Sequence, residues 1–486
     1  MPGRRTSDNI ILVQEVIRTL RYRKGRTRYV AIKLDLEKAY DCLEWSFIQE
    51  TLVFFQFPPN LITLIMNMIS STRFHILWNG TPLPEIVPTR GVRQGDPLSP
   101  YLFIPCLERL SIKLEEAVRD TLLHPISFRG QVRLSHLFFP DDIFLFTHAK
   151  VKDCTQLNHI LHQFCVALGQ LVSVSKSCLW FSPNTSRHCK DQVTGILSVP
   201  TMNHIGTYLG TPIFTSRRTT SSYQYLVDKI RGKIEGWQAK YLSMAGRATL
   251  IKSVVSTIPI YAMQTTLIPQ KISHQLDKMS CNFLWGDTEH HRSCHTVSWE
   301  TVTMPKEAGG LGLTSIRHRN QAILMHQAWR LYTNSDMLWA RVLKAKYFPH
   351  SPMFNSTGRV RGSHIWTAFR HGIKLLYEGM SWFVGDGQDI RIWQDPWLPS
   401  GSLRSYIAGP LQIMAEDSRV SSLRSNHSWS FESLTFPIPH HLEQLIQGIP
   451  VAQISRLPDS FLWPHNNGIC SIKSTSQCLY HKHHVP

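Results

Sequence analysis

The stretch LFFPDDIFLF, residues 137–146, constrains the fold of this chain more than any other. Two aspartates stand side by side between two aromatic and aliphatic runs. Neighbouring carboxylates repel and a sheet core rejects unpaired charge, so Asp141 and Asp142 must lie in solvent at a tight turn or be neutralised by bound cations. The flanking runs LSHLFF and IFLF predict a β-hairpin with PDD at its tip. Taken alone, FPDDI is also an ordinary type I turn, with Pro second and Asp third.

Two other segments decide between these readings. Residues 29–34, YVAIKL, form a β-branched and aliphatic run that predicts a buried strand delivering the carboxylate of Asp35 at its end. A helix should follow, because Leu43, Phe47, Ile48, Leu52 and Phe55 recur at helical spacing; Asp41 with Glu44 resembles its capping box. Next comes PTRGVRQGDPLSP, a loop punctuated by Gly and Pro, with Ser99 as expected N-cap and a helix over about 100–118 that Pro105 should kink. If the strands carrying Asp35 and the aspartate pair are neighbours, the three carboxylates converge and can hold two Mg²⁺ ions about 3.5 to 4 Å apart, with Mn²⁺ as a substitute. The like charges then serve a purpose.

The balance of charge points to a polyanionic partner, because 52 Lys and Arg stand against 34 Asp and Glu, a formal net charge of +18. Much of the excess lies between 216 and 255, where Arg217, Arg218, Lys229, Arg231, Lys233, Lys240, Arg247 and Lys252 face only Asp228 and Glu235. Two amphipathic helices are expected over 221–258, with Tyr225, Leu226, Ile230, Ile234 and Trp237 as one apolar stripe. A basic helical face suits a phosphate backbone, and equally a solvated surface. Beyond about residue 300, tryptophans alternate with Gly, Pro and Asp, as expected of small strands and turns in which the indoles are core rather than base-stacking platforms.

The ten cysteines form no CxxC pair, so free thiols in a reducing compartment are expected rather than a disulfide framework. Cys281, His290, His291, Cys294 and His295 are zinc-ligand types at a spacing that matches no standard zinc module, and Cys478, His481, His483 and His484 fit one no better. No stretch approaches the roughly 18 to 20 apolar residues of a bilayer span, and MPGRRTSDN is no signal peptide. The expected location is intracellular, nuclear or cytoplasmic, with no membrane partner.

A strand-end Asp, an RQGDPLSP loop and a strand-DD-strand hairpin, in that order, resemble the reverse transcriptase of plant LINE-type (non-LTR) retrotransposons. The resemblance runs over nearly the whole chain. It implies an RNA-directed DNA polymerase that uses an RNA template, a DNA primer, deoxynucleoside triphosphates and two Mg²⁺ ions. In AIKLDLEKAYDCLEW, Asp35 would be a metal ligand and Tyr40 the aromatic gate that excludes a ribose 2′-hydroxyl. In RGVRQGDPLSP, Gln94 and Gly95 would line the nucleotide and template pocket with Arg93 beside them. FFPDDIFLF would supply Asp141 and Asp142 as the other ligands. GQLVSVSKS would place Lys176 near the triphosphate as the proton donor to pyrophosphate. YLGTPI would put Tyr208 and Gly210 near the primer end. LSMAGRATLIKSVVSTIPIYAMQ is similar to thumb-like helices, which assigns Arg231, Lys233, Arg247 and Lys252 to the phosphate backbone.

The implied fold is α+β: a palm with an antiparallel sheet and partial fingers over 1–215, a helical thumb-like region over 216–300, and a mixed C-terminal connecting unit over 301–486. That last unit ends on DSFLWPHNNGICSIKSTSQCLY, which resembles the start of a zinc-binding segment. The chain begins about 30 residues before Asp35, so against the family it is expected to be truncated at both ends, without the upstream fingers strands and the endonuclease and ribonuclease H segments. Pro140, Pro105 and Ser173 depart from the family's pattern, Pro140 where a proline should remove a donor from a hairpin strand. The alternative reading is an inactive retrotransposon remnant that at most binds nucleic acid. Another palm-bearing nucleotidyl transferase or cyclase fits the RQGDPLSP and lysine segments less well.

Overall fold

The computed structural model describes residues 5–129, 132–140, 142–214, 219–236, 241–287, 292–350, 353–354, 362–398, 401–407, 410–411, 417–425, 428–434, 437–449, 458–465 and 468–484. Two compact units emerge, 1–219 with 337–349, and 220–336 with 350–486. No unit boundary falls at 300, because helices on both sides of it pack together in the second unit.

The first unit is built on a four-stranded sheet of β1 (Tyr29–Asp35), β2 (His136–Phe139), β3 (Asp142–His148) and β4 (Cys178–Phe181), in the order β2-β3-β1-β4 with every pair antiparallel. Alternation along the strands sorts the side chains. Val30, Ile32 and Leu34 of β1, Ile143 and Leu145 of β3 and Leu179 and Phe181 of β4 enter one large core. The helices α1 (Trp45–Phe54), α2 (Leu98–Arg119) and α3 (Val151–Leu168) supply that core's other wall, including Phe47, Phe103 and Phe164.

Several local expectations change. Asp41 is not a cap: α1 starts at Trp45 with Glu44 at the N-cap, and Asp41 lies in the preceding turn, its N–H on the Lys38 carbonyl at 2.8 Å. The helix α2 begins two residues before Pro100, with Pro97 and not Ser99 at the N-cap, and the Asp96 carboxylate just before it accepts the Leu98 N–H at 2.8 Å. Pro105 lies inside a helix that runs on to Arg119. The sequence reading passed over the first helix, Thr6–Arg21, whose Ile10, Val13, Ile17 and Leu20 are buried. It also passed over Leu338–Tyr347, which joins the same unit, where Lys346 and Tyr347 both bond the fully buried Glu15 carboxylate.

In the second unit, helices Gln224–Ile234, Gln270–Trp285 and Ile316–Thr333 share a core of Leu226, Val227, Ile230, Ile272, Leu276 and Ile323. The expected second helix of 221–258 starts at Met244 and passes at Ile251–Val255 into a π-helical turn, a wider coil that single insertions produce; Trp237 lies outside the described residues. The region from 316 to 379 is mostly helical, unlike the expected strands and turns, which begin at Ser381. Trp393 and Trp397 do pack as core. The GDGQD loop is explained by Asp459, whose carboxylate accepts the N–H groups of Gly385, Gly387 and Asp389 at 2.7 to 2.9 Å. All ten cysteines are free thiols. No helix among the described residues is long and apolar enough to cross a membrane.

Candidate active site

The last residue of β1 and the first of β3 are register partners, so Asp35 and Asp142 stand directly opposite each other. Directly opposed residues of an antiparallel pair share a face and hold their Cβ atoms about 4.5 to 5.5 Å apart. Since Leu34 and Ile143, one residue away, both enter the core, the two carboxylates project from the other face at one end of the sheet. Asp35 keeps 32% of its side-chain exposure, so the carboxylates are neither buried nor free of neighbours. Asp141, the third expected ligand, lies outside the described residues.

The chain between residues 171 and 177 runs beside Asp35. Ser173 donates its N–H to the Asp35 carbonyl at 2.8 Å, and the Asp35 N–H reaches the Ser177 hydroxyl at 3.1 Å. This fixes the strand end, and because the Ser173 contact is made by its main chain, the side chain that departs from the family pattern is not what holds it. Lys176 then comes within 3.8 Å of the Asp35 carboxylate, an exposed cation that offsets the like charges.

Below the carboxylates on the same face is Phe144, fully buried, with the Tyr208 ring edge-on at 4.9 Å. Tyr208 belongs to a hairpin of β5 (Thr207–Tyr208) and β6 (Thr211–Pro212) whose central residues Leu209 and Gly210 both have positive φ, as a type I′ turn requires. Lys33 ties this hairpin to β1 through the Thr207 carbonyl at 2.8 Å. The Tyr208 hydroxyl accepts from Asn9, and burial, with the nearby Asp142 charge adding to it, pushes the phenol up from its ordinary pKa. It therefore stays protonated and adds no third negative charge.

Tyr40, Arg93, Gln94 and Gly95 form a second group. The loop 91–95 is bonded to the turn after β1, Val92 N–H to the Tyr40 carbonyl and Gly91 N–H to the Leu43 carbonyl, both at 2.8 Å, while the Trp45 indole donates to the Gly91 carbonyl at 2.8 Å. The Tyr40 ring rests against Phe103 at 5.1 Å. Arg93 lies over the Phe74 ring at 5.3 Å and, with Gln94, Asp41 and Asp96, lines an open cavity of about 770 Å³. Asp35, Asp142 and Lys176 do not line it. Gly95 has φ +92, which favours glycine at that turn.

The four basic residues all belong to the second unit. Lys233 and Lys252 are exposed, Lys252 on the π-helical turn. Arg231 is matched by Asp228 at 3.8 Å and Glu235 at 3.6 Å, and the Arg247 guanidinium packs against Gly286. The two acids expected to oppose the basic residues, Asp228 and Glu235, thus both engage Arg231. Residues passed over in the sequence are Lys33, Gly91 and Phe74; only Gly91 carried a signal, as a glycine inside RGVRQGD.

Pro140 needs a correction. Because Phe139 pairs with Asp142, Pro140 follows the last residue of β2 and sits in the turn, where its missing N–H costs no ladder bond. Replacing Pro140 with Ala is expected to change stability by less than about 1 kcal/mol, through unfolded-state entropy alone, as thermal melts would show. A loss or gain of several kcal/mol would place the proline back in the ladder.

Comparison with known proteins agrees with this geometry. The family described as reverse transcriptase (RNA-dependent DNA polymerase) matches residues 1–226. An Arabidopsis thaliana protein named for ribonuclease H is 34% identical over 285 residues, covering 55% of this chain and 44% of that protein. An uncharacterized mitochondrial protein of the same plant is 32% identical over 142 residues, 29% of this chain and 92% of its own length. The retrovirus-related Pol polyprotein from type-2 retrotransposable element R2DM of Drosophila melanogaster is 24% identical over 65% of this chain and 29% of its own. The chain thus spans less than half of the first of these relatives.

Proposed function

This chain belongs to the reverse transcriptase family of non-LTR retrotransposons, and from that premise we propose that its first unit copies an RNA template into DNA by extending a DNA primer with deoxynucleoside triphosphates. The family works with divalent metal ions; in this chain the ions are Mg²⁺, held by Asp35, Asp142 and the adjacent Asp141. The observation that carries the reading is the register pairing of Asp35 with Asp142. Carboxylate oxygens are the hard donors that Mg²⁺ prefers, and Lys176 is a single exposed cation that can swing aside.

Bound there by Asp35, Asp142 and Asp141, such ions would lower the pKa of the attacking 3′-hydroxyl and steady the departing pyrophosphate. The chain's own residues do the rest. Asp35 and Asp142 fix the charge on a rigid sheet end. Lys176 approaches the triphosphate and gives a proton to the leaving pyrophosphate. Arg93, Gln94 and Gly95 present loop donors to the nucleotide and template, and Tyr40, held on Phe103, blocks a 2′-hydroxyl. Tyr208 and Gly210 support the primer end through the hairpin that Lys33 ties to β1. Lys233 and Lys252, with Arg231 and Arg247 as partly engaged neighbours, give the second unit its contacts to phosphate.

Primer extension on an RNA template with Mg²⁺ and all four deoxynucleotides tests the proposal. Template-directed incorporation is expected. RNA retention that weakens with salt, with no incorporation, would instead mark the chain as a remnant that only binds nucleic acid.

A further inference from the structure

At the other end of β3, six residues from Asp142 and so roughly 20 Å away along the strand, a second group of metal-ligand side chains meets. A ring nitrogen of His124, a ring nitrogen of His148 and a carboxylate oxygen of Asp153 all lie within 4.8 Å of one another, the one such cluster among the described residues. The three come from different places: the loop after α2, the last residue of β3 and the first turn of α3.

Asp153 has an evident structural task. Its Oδ2 accepts the His124 N–H at 3.2 Å, bonds the His124 Nδ1 at 2.9 Å and accepts the Thr147 hydroxyl at 3.4 Å, which ties the loop to the sheet. That task leaves two observations unexplained. His148 Nδ1 is buried and has no hydrogen-bond partner, which is rare for a ring nitrogen away from water. The two imidazoles are also stacked, their centroids 5.0 Å apart and their planes 9° from parallel, so neither donates to the other and one ring must turn for both to face a common ion. Tyr29, edge-on at 4.8 Å, closes one side of His148. Asp153 is almost wholly buried and, among the described residues, is paired with His124, whose side chain stays 44% exposed and leaves a path from solvent.

We propose that His124, His148 and Asp153 form a structural site for a Zn²⁺-class ion, separate from the carboxylates of the sheet end. Two imidazoles and one carboxylate are borderline donors that suit Zn²⁺ and not Mg²⁺, and the exposed side supplies a water as fourth ligand. The Thr147 hydroxyl on Asp153 is the outer support such ligands receive. The ion would pin the loop, the strand end and α3 together without taking part in chemistry.

Co²⁺ as a spectroscopic stand-in, competed by Zn²⁺, tests this on the whole chain after chelator treatment. One equivalent of Co²⁺ should give a visible ligand-field band that one equivalent of Zn²⁺ abolishes. His148→Gln should weaken the affinity by about 100-fold, and His124→Gln, at a half-exposed position that tolerates change, should do the same with unaltered circular dichroism. His295→Gln controls for the other candidate group, where His295 contacts Asp287 at 3.1 Å and Cys281 at 3.8 Å. No band in the native chain, a band that survives both His124→Gln and His148→Gln, or one lost only in His295→Gln would overturn the assignment.

Discussion

Replacing Asp142 with Asn is expected to lower primer extension by about a thousandfold, a few kcal/mol of lost charge stabilisation at the transferring phosphoryl group. Asn keeps the volume and removes the charge, so the strand pairing of β3 survives. Asp35→Asn should cost as much, and the double variant little more, because two ligands of one ion act as a unit and their losses do not add. Stability moves the other way. Like charges directly opposite on paired strands repel, so without divalent ions either Asn variant should melt at the same temperature as the parent or slightly above it. A purely structural pair of aspartates would show the reverse, with lost stability and unchanged chemistry. RNA binding should be unaffected, since neither aspartate is among the residues proposed to contact the phosphate backbone.

The second large effect is expected at Gly91. Its φ of +85 lies in the left-handed region, and a Cβ added there would stand 2.5 Å from the Asp41 carbonyl oxygen, a main-chain atom that cannot step aside. Gly91→Ala should therefore cost about 3 kcal/mol, the sum of left-handed backbone strain and a hard contact. The loop carrying Arg93, Gln94 and Gly95 hangs on this approach through the Gly91 and Val92 main-chain bonds. Extension should fall more than tenfold, with the rise in nucleotide KM larger than the fall in kcat, because the loop is proposed to meet the nucleotide and not the reacting hydroxyl. Chemical denaturation and steady-state extension together check both halves, and an alanine variant of native stability with native KM would refute the loop's anchoring role.

The hairpin around Asp142 was legible because everything that makes it is local: apolar runs of strand length, and a turn whose residues announce it. The end of β1 was legible for the same reason. The pairing of β1 with β3, more than a hundred residues apart in sequence, had no local signal and came only through resemblance to a known family. Pro140 was expected at the hairpin tip and also as a missing strand donor; the letters do not fix the register that decides between these, and the Phe139 to Asp142 pairing does. The helix starts fell a few residues from where expected, at Glu44 instead of Asp41 and at Pro97 instead of Ser99, because cap-type residues recur within a few positions of each true start. The return of Leu338–Tyr347 to the first unit rests on the buried Glu15, whose partners lie more than three hundred residues away. Nothing in either segment alone suggests it. The two acids counted against the basic stripe, Asp228 and Glu235, both fall on one residue, Arg231, a distribution that charge counting alone does not give.

Anomalous diffraction from crystals of the chain soaked in Mn²⁺ tests the central claim most directly. The expected result is a peak at the end of the sheet, within about 2.5 Å of carboxylate oxygens from both Asp35 and Asp142. A peak elsewhere with these two side chains turned apart, or Asp35 closed permanently onto Lys176, would contradict it.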